Sequence, residues 1–218
     1  MTTVAHVASR PPTVYLIDDN ADLRESLAAL LEASGYSPRC FATAEEFLAK
    51  GLNERPACAI VDLRLPGMSG LDLQKKLHDE QPNLPVIVVT GHGDVATARA
   101  ALRTGALDFL EKPVQPEELM DAVSAALQSD AQALSRARER EQMRERLGRL
   151  TPRELEVFQR ITDGLHNREI AVELGISPRT VEVHRARLMD KLSARRIAEL
   201  FRLRLALDGN EVAASVRS

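Results

Sequence analysis

At 218 residues, with 44% hydrophobic and 28% charged residues, the chain has the make-up of a soluble globular protein of one large or two modest domains. No apolar run nears the roughly 20 residues that span a bilayer, and Met1 to Pro12 hold no basic cluster followed by an apolar stretch; no membrane partner and no secretory signal are expected, and the expected location is cytoplasmic. The net charge of −3 hides an asymmetry, because residues 1–127 hold 11 Lys+Arg against 18 Asp+Glu and residues 128–218 hold 18 against 14, which places any contact with nucleic acid in the second part.

After a flexible tail over 1–12, short apolar runs alternate with amphipathic stretches, the pattern of an α/β domain with a doubly wound parallel sheet. The runs are Val14–Ile17, a weaker one at Arg39–Phe41, then Cys58–Val61, Val86–Val89 and Leu107–Leu110. The strongest lack polar alternation, as strands covered on both faces do. Helices are expected at about 21–34, 44–50, 70–80, 94–103 and 116–128; Leu23, Leu27, Leu30 and Leu31 mark the first, and Gly35 follows as its stop. Five strands and five helices make one domain over 13–128. Cys40 and Cys58, the only cysteines, sit in apolar stretches without metal-ligand spacing and read as reduced core thiols.

From Gln128 the composition changes. Arg136, Arg138, Arg140, Arg144 and Arg146 interleave with Glu139, Glu141 and Glu145, with no Pro or Gly before Gly148. A helical linker over 129–149 is expected, roughly 30 Å long. A charged spacer and a helix that couples its neighbours or self-associates both fit; a clean apolar heptad is absent, which argues against a strong coiled coil.

Residues 150–207 read as four helices. Thr151-Pro152-Arg153-Glu154 is a capping box with Pro in the first turn. Asn167 is the expected cap of the second helix, Gly175 a tight turn, Ser177-Pro178 the start of the third, and the fourth runs from about Ala194 to Leu207. Ile170, Ala171, Leu174, Val181 and Leu188 are expected in the core. Residues 208–218 form a C-terminal tail.

Polar residues in the first part stand where strands end: Asp18 and Asp19 after the first, Asp62 after the third, Thr90 after the fourth and Lys112 after the fifth. Carboxyl ends of strands border the ligand crevice of an open parallel sheet. Three carboxylates gathered there repel one another unless a cation intervenes, and an all-oxygen donor set favours Mg²⁺. No G-x-G-x-x-G follows the first strand, so a dinucleotide site lacks its phosphate cradle.

Asp18-Asp19, Asp62 with Leu65-Pro66-Gly67-Met68-Ser69-Gly70, Thr90-Gly91 and Phe109-Leu110-Glu111-Lys112-Pro113 resemble response-regulator receivers throughout residues 13–128. The resemblance implies a flavodoxin-like five-stranded fold in which Asp62 takes a phosphoryl group from a sensor histidine kinase. It implies that Asp19, Asp62 and the Arg64 backbone carbonyl bind Mg²⁺ directly and Asp18 mostly through water. Lys112 would contact the phosphoryl oxygens, its bond to Pro113 being cis, and Thr90 and Phe109 would form the switch. Those residue types suit the chemistry, since a carboxylate is a competent nucleophile and the transferring group needs its negative charge neutralised. Arg64 and His92, two residues beyond Asp62 and Thr90, are large enough to screen the phosphate from water. Phosphorylation is expected to pair receivers through the face near 94–111, where Val95, Ala98, Ala101 and Leu102 offer apolar surface.

Leu150-Thr151-Pro152-Arg153-Glu154-Leu155-Glu156-Val157, Gly164, Asn167-Arg168-Glu169-Ile170-Ala171 and Thr180-Val181-Glu182-Val183-His184-Arg185 resemble LuxR-type helix-turn-helix domains. Together the two parts are similar to the NarL/FixJ class of two-component regulators, nearest its FixJ branch. The resemblance implies a transcription regulator, not an enzyme, with double-stranded promoter DNA and RNA polymerase as partners and a homodimer when phosphorylated. The third helix would enter the major groove. Glu182, Val183, Ala186 and Arg187 are candidates for base edges, while Arg179, Thr180, His184, Arg185 and Lys191 would hold phosphates. A phosphohydrolase built on an aspartyl-phosphate is the enzymatic rival, but the acid/base carboxylate expected two residues after the nucleophile is replaced by Arg64.

Overall fold

The computed structural model describes residues 10–50, 54–91, 99 and 101–205. The chain divides into two compact units, Met1–Leu134 and Ser135–Ser218.

In the first unit, β1 (Thr13–Ile17), β2 (Ser37–Phe41), β3 (Ala57–Asp62), β4 (Val86–Thr90) and β5 (Asp108–Glu111) form one parallel sheet in the order β2-β1-β3-β4-β5. Helices α1 (Ala21–Ala33), α2 (Ala44–Lys50), α3 (Gly70–Glu80) and the first part of α4 (Pro116–Gly148) flank it. Side chains alternate along each strand between two cores. Val14 and Leu16 of β1 face Leu27 and Leu31 of α1 and Leu119 and Val123 of α4. Tyr15 and Ile17 face Phe47 of α2 and Leu73 and Leu77 of α3. Burial on both faces explains why β1, β3 and β4 read as unbroken apolar runs.

The sheet order corrects one expectation. Cys58 lies in a central strand and is fully buried, which together with the charge of Asp130 pushes its thiol up to about 12. Cys40 is exposed, because β2 is an edge strand and presents that residue to solvent. Both thiols are free, but only Cys58 is a core residue. Of the helix expected over 94–103, residues 99 and 101–103 are described and helical; His92, Val95 and Ala98 lie outside the described residues.

The helix expected over 116–128 and the helical linker expected over 129–149 are one element, since nothing before Gly148 breaks it. Its face toward the sheet ends at Asp130, which is fully buried. Arg55 Nε and the Ala57 N–H each donate to Asp130 Oδ2 at 2.8 Å, and Arg55 Nη2 donates to Oδ1. Residues 135–142 are exposed, and Met143 and Leu147 pack against the core of the second unit.

That unit consists of α5 (Pro152–Thr162), α6 (Asn167–Leu174), α7 (Pro178–Lys191) and a helical segment over 197–205. Thr151 and Ser177 cap α5 and α7 as their sequences indicate, and Gly175 turns between α6 and α7 at φ 64. Asn167 is not a cap: α6 begins with it, His166 is the cap residue, and the Glu169 carboxylate accepts the His166 N–H at 2.7 Å. The last helix starts three residues later than expected. Ser193 adopts φ 52 and the Ala194 N–H folds back to the Met189 carbonyl at 2.9 Å, so the chain must first turn. Val157, Phe158, Ile170, Val181, Leu188 and Leu200 are buried together, with Leu174 partly buried beside them.

Candidate functional sites

The strand order reverses at β1, with β2 on one side and β3 on the other, so a crevice opens at the carboxyl ends of β1 and β3. Asp18, Asp19 and Asp62 meet there, one carboxylate oxygen from each lying within 4.8 Å of the other two. Asp18 and Asp62 are buried and Asp19 is exposed. Lys112 Nζ donates to Asp18 Oδ2 at 2.7 Å and also to Asp62 Oδ2. Burial pulls the Lys112 ammonium down, but the hydrogen bonds and charges of Asp18 and Asp62 outweigh it and raise its pKa above the ordinary lysine value.

Main-chain groups hold these carboxylates in place. The Asn20 N–H donates to Asp18 Oδ1 at 2.8 Å and the Arg64 N–H to Asp62 Oδ1 at 2.9 Å. Arg24, one turn into α1, donates to the Asp18 carbonyl oxygen at 2.5 Å, a contact the sequence reading missed. Thr90 is buried at the end of β4, its hydroxyl 3.3 Å from the Gly91 carbonyl, and its own carbonyl accepts the Lys112 N–H at 2.8 Å. The Lys112–Pro113 bond is cis. Phe109 is 41% exposed on the edge strand β5, and Leu102 and Leu107 are similarly exposed. Ala101 is fully buried, which removes it from the apolar surface expected near 94–111; its helical turn points it into the core.

On α7, Arg179, Glu182, Val183, Ala186 and Arg187 are exposed along one face. Four of the residues expected on phosphates are half-buried. Thr180 lies 2.8 Å from the capping Ser177 hydroxyl, and Arg185 Nη1 donates to Asn167 Oδ1 at 3.3 Å. Lys191 Nζ donates to the buried Glu154 at 2.6 Å. His184 Nδ1 is buried without a hydrogen-bond partner among the described residues. The sequence placed Glu154 in a capping box but not in this ion pair, whose partner is 37 residues away. Among the described residues, no helix is long and apolar enough to cross a membrane.

The chain matches the response regulator receiver domain over residues 14–124 and the luxR family of bacterial regulatory proteins over 148–204. It is 41% identical to the transcriptional regulatory protein FixJ of Rhizobium meliloti, over 89% of this chain and 95% of that protein. It is 37% identical to the response regulator protein TodT of Pseudomonas putida, over 93% of this chain and 89% of that one. Among solved structures, the response regulator StyR superposes with a TM-score of 0.78 at 38% identity, covering 88% of this chain and 98% of that one. Full-length FixJ from B. japonicum gives 0.55 at 38% identity, covering 89% and 96%. A strand-end acidic pocket in one unit and a helix-turn-helix in the other agree with both matches, and the chain belongs to the response regulators that join a receiver domain to a luxR-type DNA-binding domain, as a transcription regulator of a two-component system.

Proposed function

We propose that Asp62 is the phosphoryl acceptor through which a sensor histidine kinase controls this regulator. The observation that carries this is the Lys112 ammonium shared by Asp18 and Asp62 at the carboxyl ends of adjacent strands, with Asp19 beside them. Three carboxylates and one ammonium leave two negative charges uncompensated, and the donors are all oxygen, so the pocket suits a divalent cation such as Mg²⁺. Asp19 and Asp62 would hold it with the Arg64 backbone carbonyl, Asp18 through water. Bound there, Mg²⁺ would neutralise charge on the transferring phosphoryl group.

An Asp62 carboxylate oxygen attacks the phosphorus, the bond from phosphorus to the kinase imidazole nitrogen breaks, and an acyl phosphate forms. Lys112, charged well above neutral pH, exchanges its bond to Asp62 for the phosphoryl oxygens. Thr90 needs only to leave a long bond within its own loop to donate to the phosphate. Inward movement of Thr90 would open space for the exposed Phe109 ring, changing the surface beside Leu102 and Leu107. Receivers would then pair through that face, the linked DNA-binding units would occupy two half-sites, and RNA polymerase would be met at the promoter. Such a role places the protein in the cytoplasm. Arg64 supplies no acid/base carboxylate, which supports signalling rather than turnover.

Incubation with a small phosphodonor and Mg²⁺ should add one phosphoryl mass to the wild type and none to Asp62→Asn. Equal uptake by Asp62→Asn would refute the assignment. Sedimentation of the two forms tests pairing, and a monomer in both states at DNA-binding concentrations counts against it.

A further inference from the structure

The loop joining β3 to α3, residues 63–69, follows Asp62 directly and carries the Arg64 carbonyl. Its base is closed tightly: the Gly70 N–H donates to the Leu63 carbonyl at 3.1 Å, and a Cβ on Gly70 would collide with the Asp62 carbonyl oxygen. Its tip is a turn in which Gly67 takes φ +76, a conformation that favours glycine.

Glu45, in the first turn of α2 and 23 residues from Met68, reaches this tip. Its Oε1 accepts the Met68 N–H at 2.8 Å and lies 2.6 Å from where a Cβ on Gly67 would stand. A side chain at position 67 would be strained by its φ and would displace the carboxylate end of Glu45. The start of α2 has other caps as well, since Thr43 Oγ1 accepts the Glu46 N–H at 3.1 Å and Glu46 Oε2 accepts the Ala42 N–H at 3.1 Å, and the Glu45 carboxylate joins this local set while also reaching Met68. Hydrogen bonds from its own backbone N–H and from that of Met68 hold the Glu45 carboxyl below the usual range, so it is ionised and a strong acceptor at neutral pH.

We propose that Glu45 is a positioning residue for phosphoryl transfer, which clamps the 65–68 turn and so fixes the Asp62–Arg64 backbone that faces the divalent cation. The proposal rests on the reading of Asp62 given above. Partners one step removed from a metal ligand orient it, and their loss weakens metal binding.

The test compares Glu45→Ala and Glu45→Gln in the full chain. Without Mg²⁺, amide hydrogen exchange at Met68 should accelerate in Glu45→Ala and not in Glu45→Gln, whose amide oxygen accepts the same bond. With a small phosphodonor, the Mg²⁺ concentration for half-maximal phosphorylation should rise by about tenfold in Glu45→Ala and return toward wild type in Glu45→Gln. Wild-type exchange at Met68 in Glu45→Ala, or an unchanged Mg²⁺ requirement, overturns the proposal. If exchange responds as expected but the wild type gains no phosphoryl mass, the Asp62 reading fails, and the role of Glu45 in transfer fails with it.

Discussion

Glu154 Oε2 accepts hydrogen bonds from the Thr151 N–H at 2.8 Å and from Lys191 Nζ at 2.6 Å, so one buried carboxylate ties the start of α5 to the end of α7. Glu154 is 3% exposed and the Lys191 side chain 34%. Lys191 is thus a structural partner of the helix-turn-helix, whatever it also offers to DNA.

Glu154→Ala should destabilise the second unit by about 2–4 kcal/mol, since it removes both a cap and the partner of a partly buried ammonium. Acid should act the same way. The Lys191 hydrogen bond, opposed by burial and aided by Thr151, lowers the Glu154 pKa in the folded chain. That contribution is complete above the unfolded carboxylate value and is lost as pH falls through the lowered folded one. Thermal unfolding followed from about pH 6 to pH 3 should show this loss in the wild type and a smaller one in Glu154→Gln. Equal pH dependence in the two proteins would remove Glu154 as its source.

Asp130 is the corresponding anchor in the first unit. Replacing it with Ala leaves the Arg55 guanidinium and the Ala57 N–H without their acceptor, at a cost of about 3–5 kcal/mol. Chemical denaturation of the first unit should show this as a lower midpoint. A change of less than about 1 kcal/mol would mean that water replaces the carboxylate.

Arg64 is exposed, two residues past Asp62. If its side chain screens the acyl phosphate, Arg64→Ala combined with His92→Ala should shorten the phosphate lifetime. Decay of phosphorylated protein measured by mass would settle this, an unchanged rate showing that bulk at these positions does not protect the phosphate.

The helix expected to enter the major groove, α7, divides the residues expected to read bases from those expected to hold phosphates. Arg187 is exposed on the face with Glu182 and Val183, whereas Arg185 is half-buried and bonded to Asn167. Arg187→Ala should cost about 1–3 kcal/mol on target DNA alone if its partner is a guanine. Arg185→Ala should weaken target and random DNA alike and lower the salt slope by about 1. Titrations on both DNAs at several salt concentrations check this, and the opposite pattern would exchange the two roles.

Periodicity and strand-end chemistry are local properties, so the five strands, the Thr151–Glu154 capping box, the acidic pocket and the exposed face of α7 were all legible in the sequence by itself. Burial on both faces writes β1, β3 and β4 into residue order as unbroken apolar runs, and the carboxyls that follow β1 and end β3 border the crevice between those adjacent strands. The tertiary structure decided what depends on strand order and on partners far along the chain. Cys40 faces solvent because β2 became an edge, and the helix at 116 continues to Gly148 with Asp130 as its last buried residue. Glu45, Asp130 and Glu154 find donors 23, 75 and 37 residues away. A carboxylate on a helix looks the same in sequence whether it meets water or a distant amide, because only the packing of the whole unit determines which of them it meets.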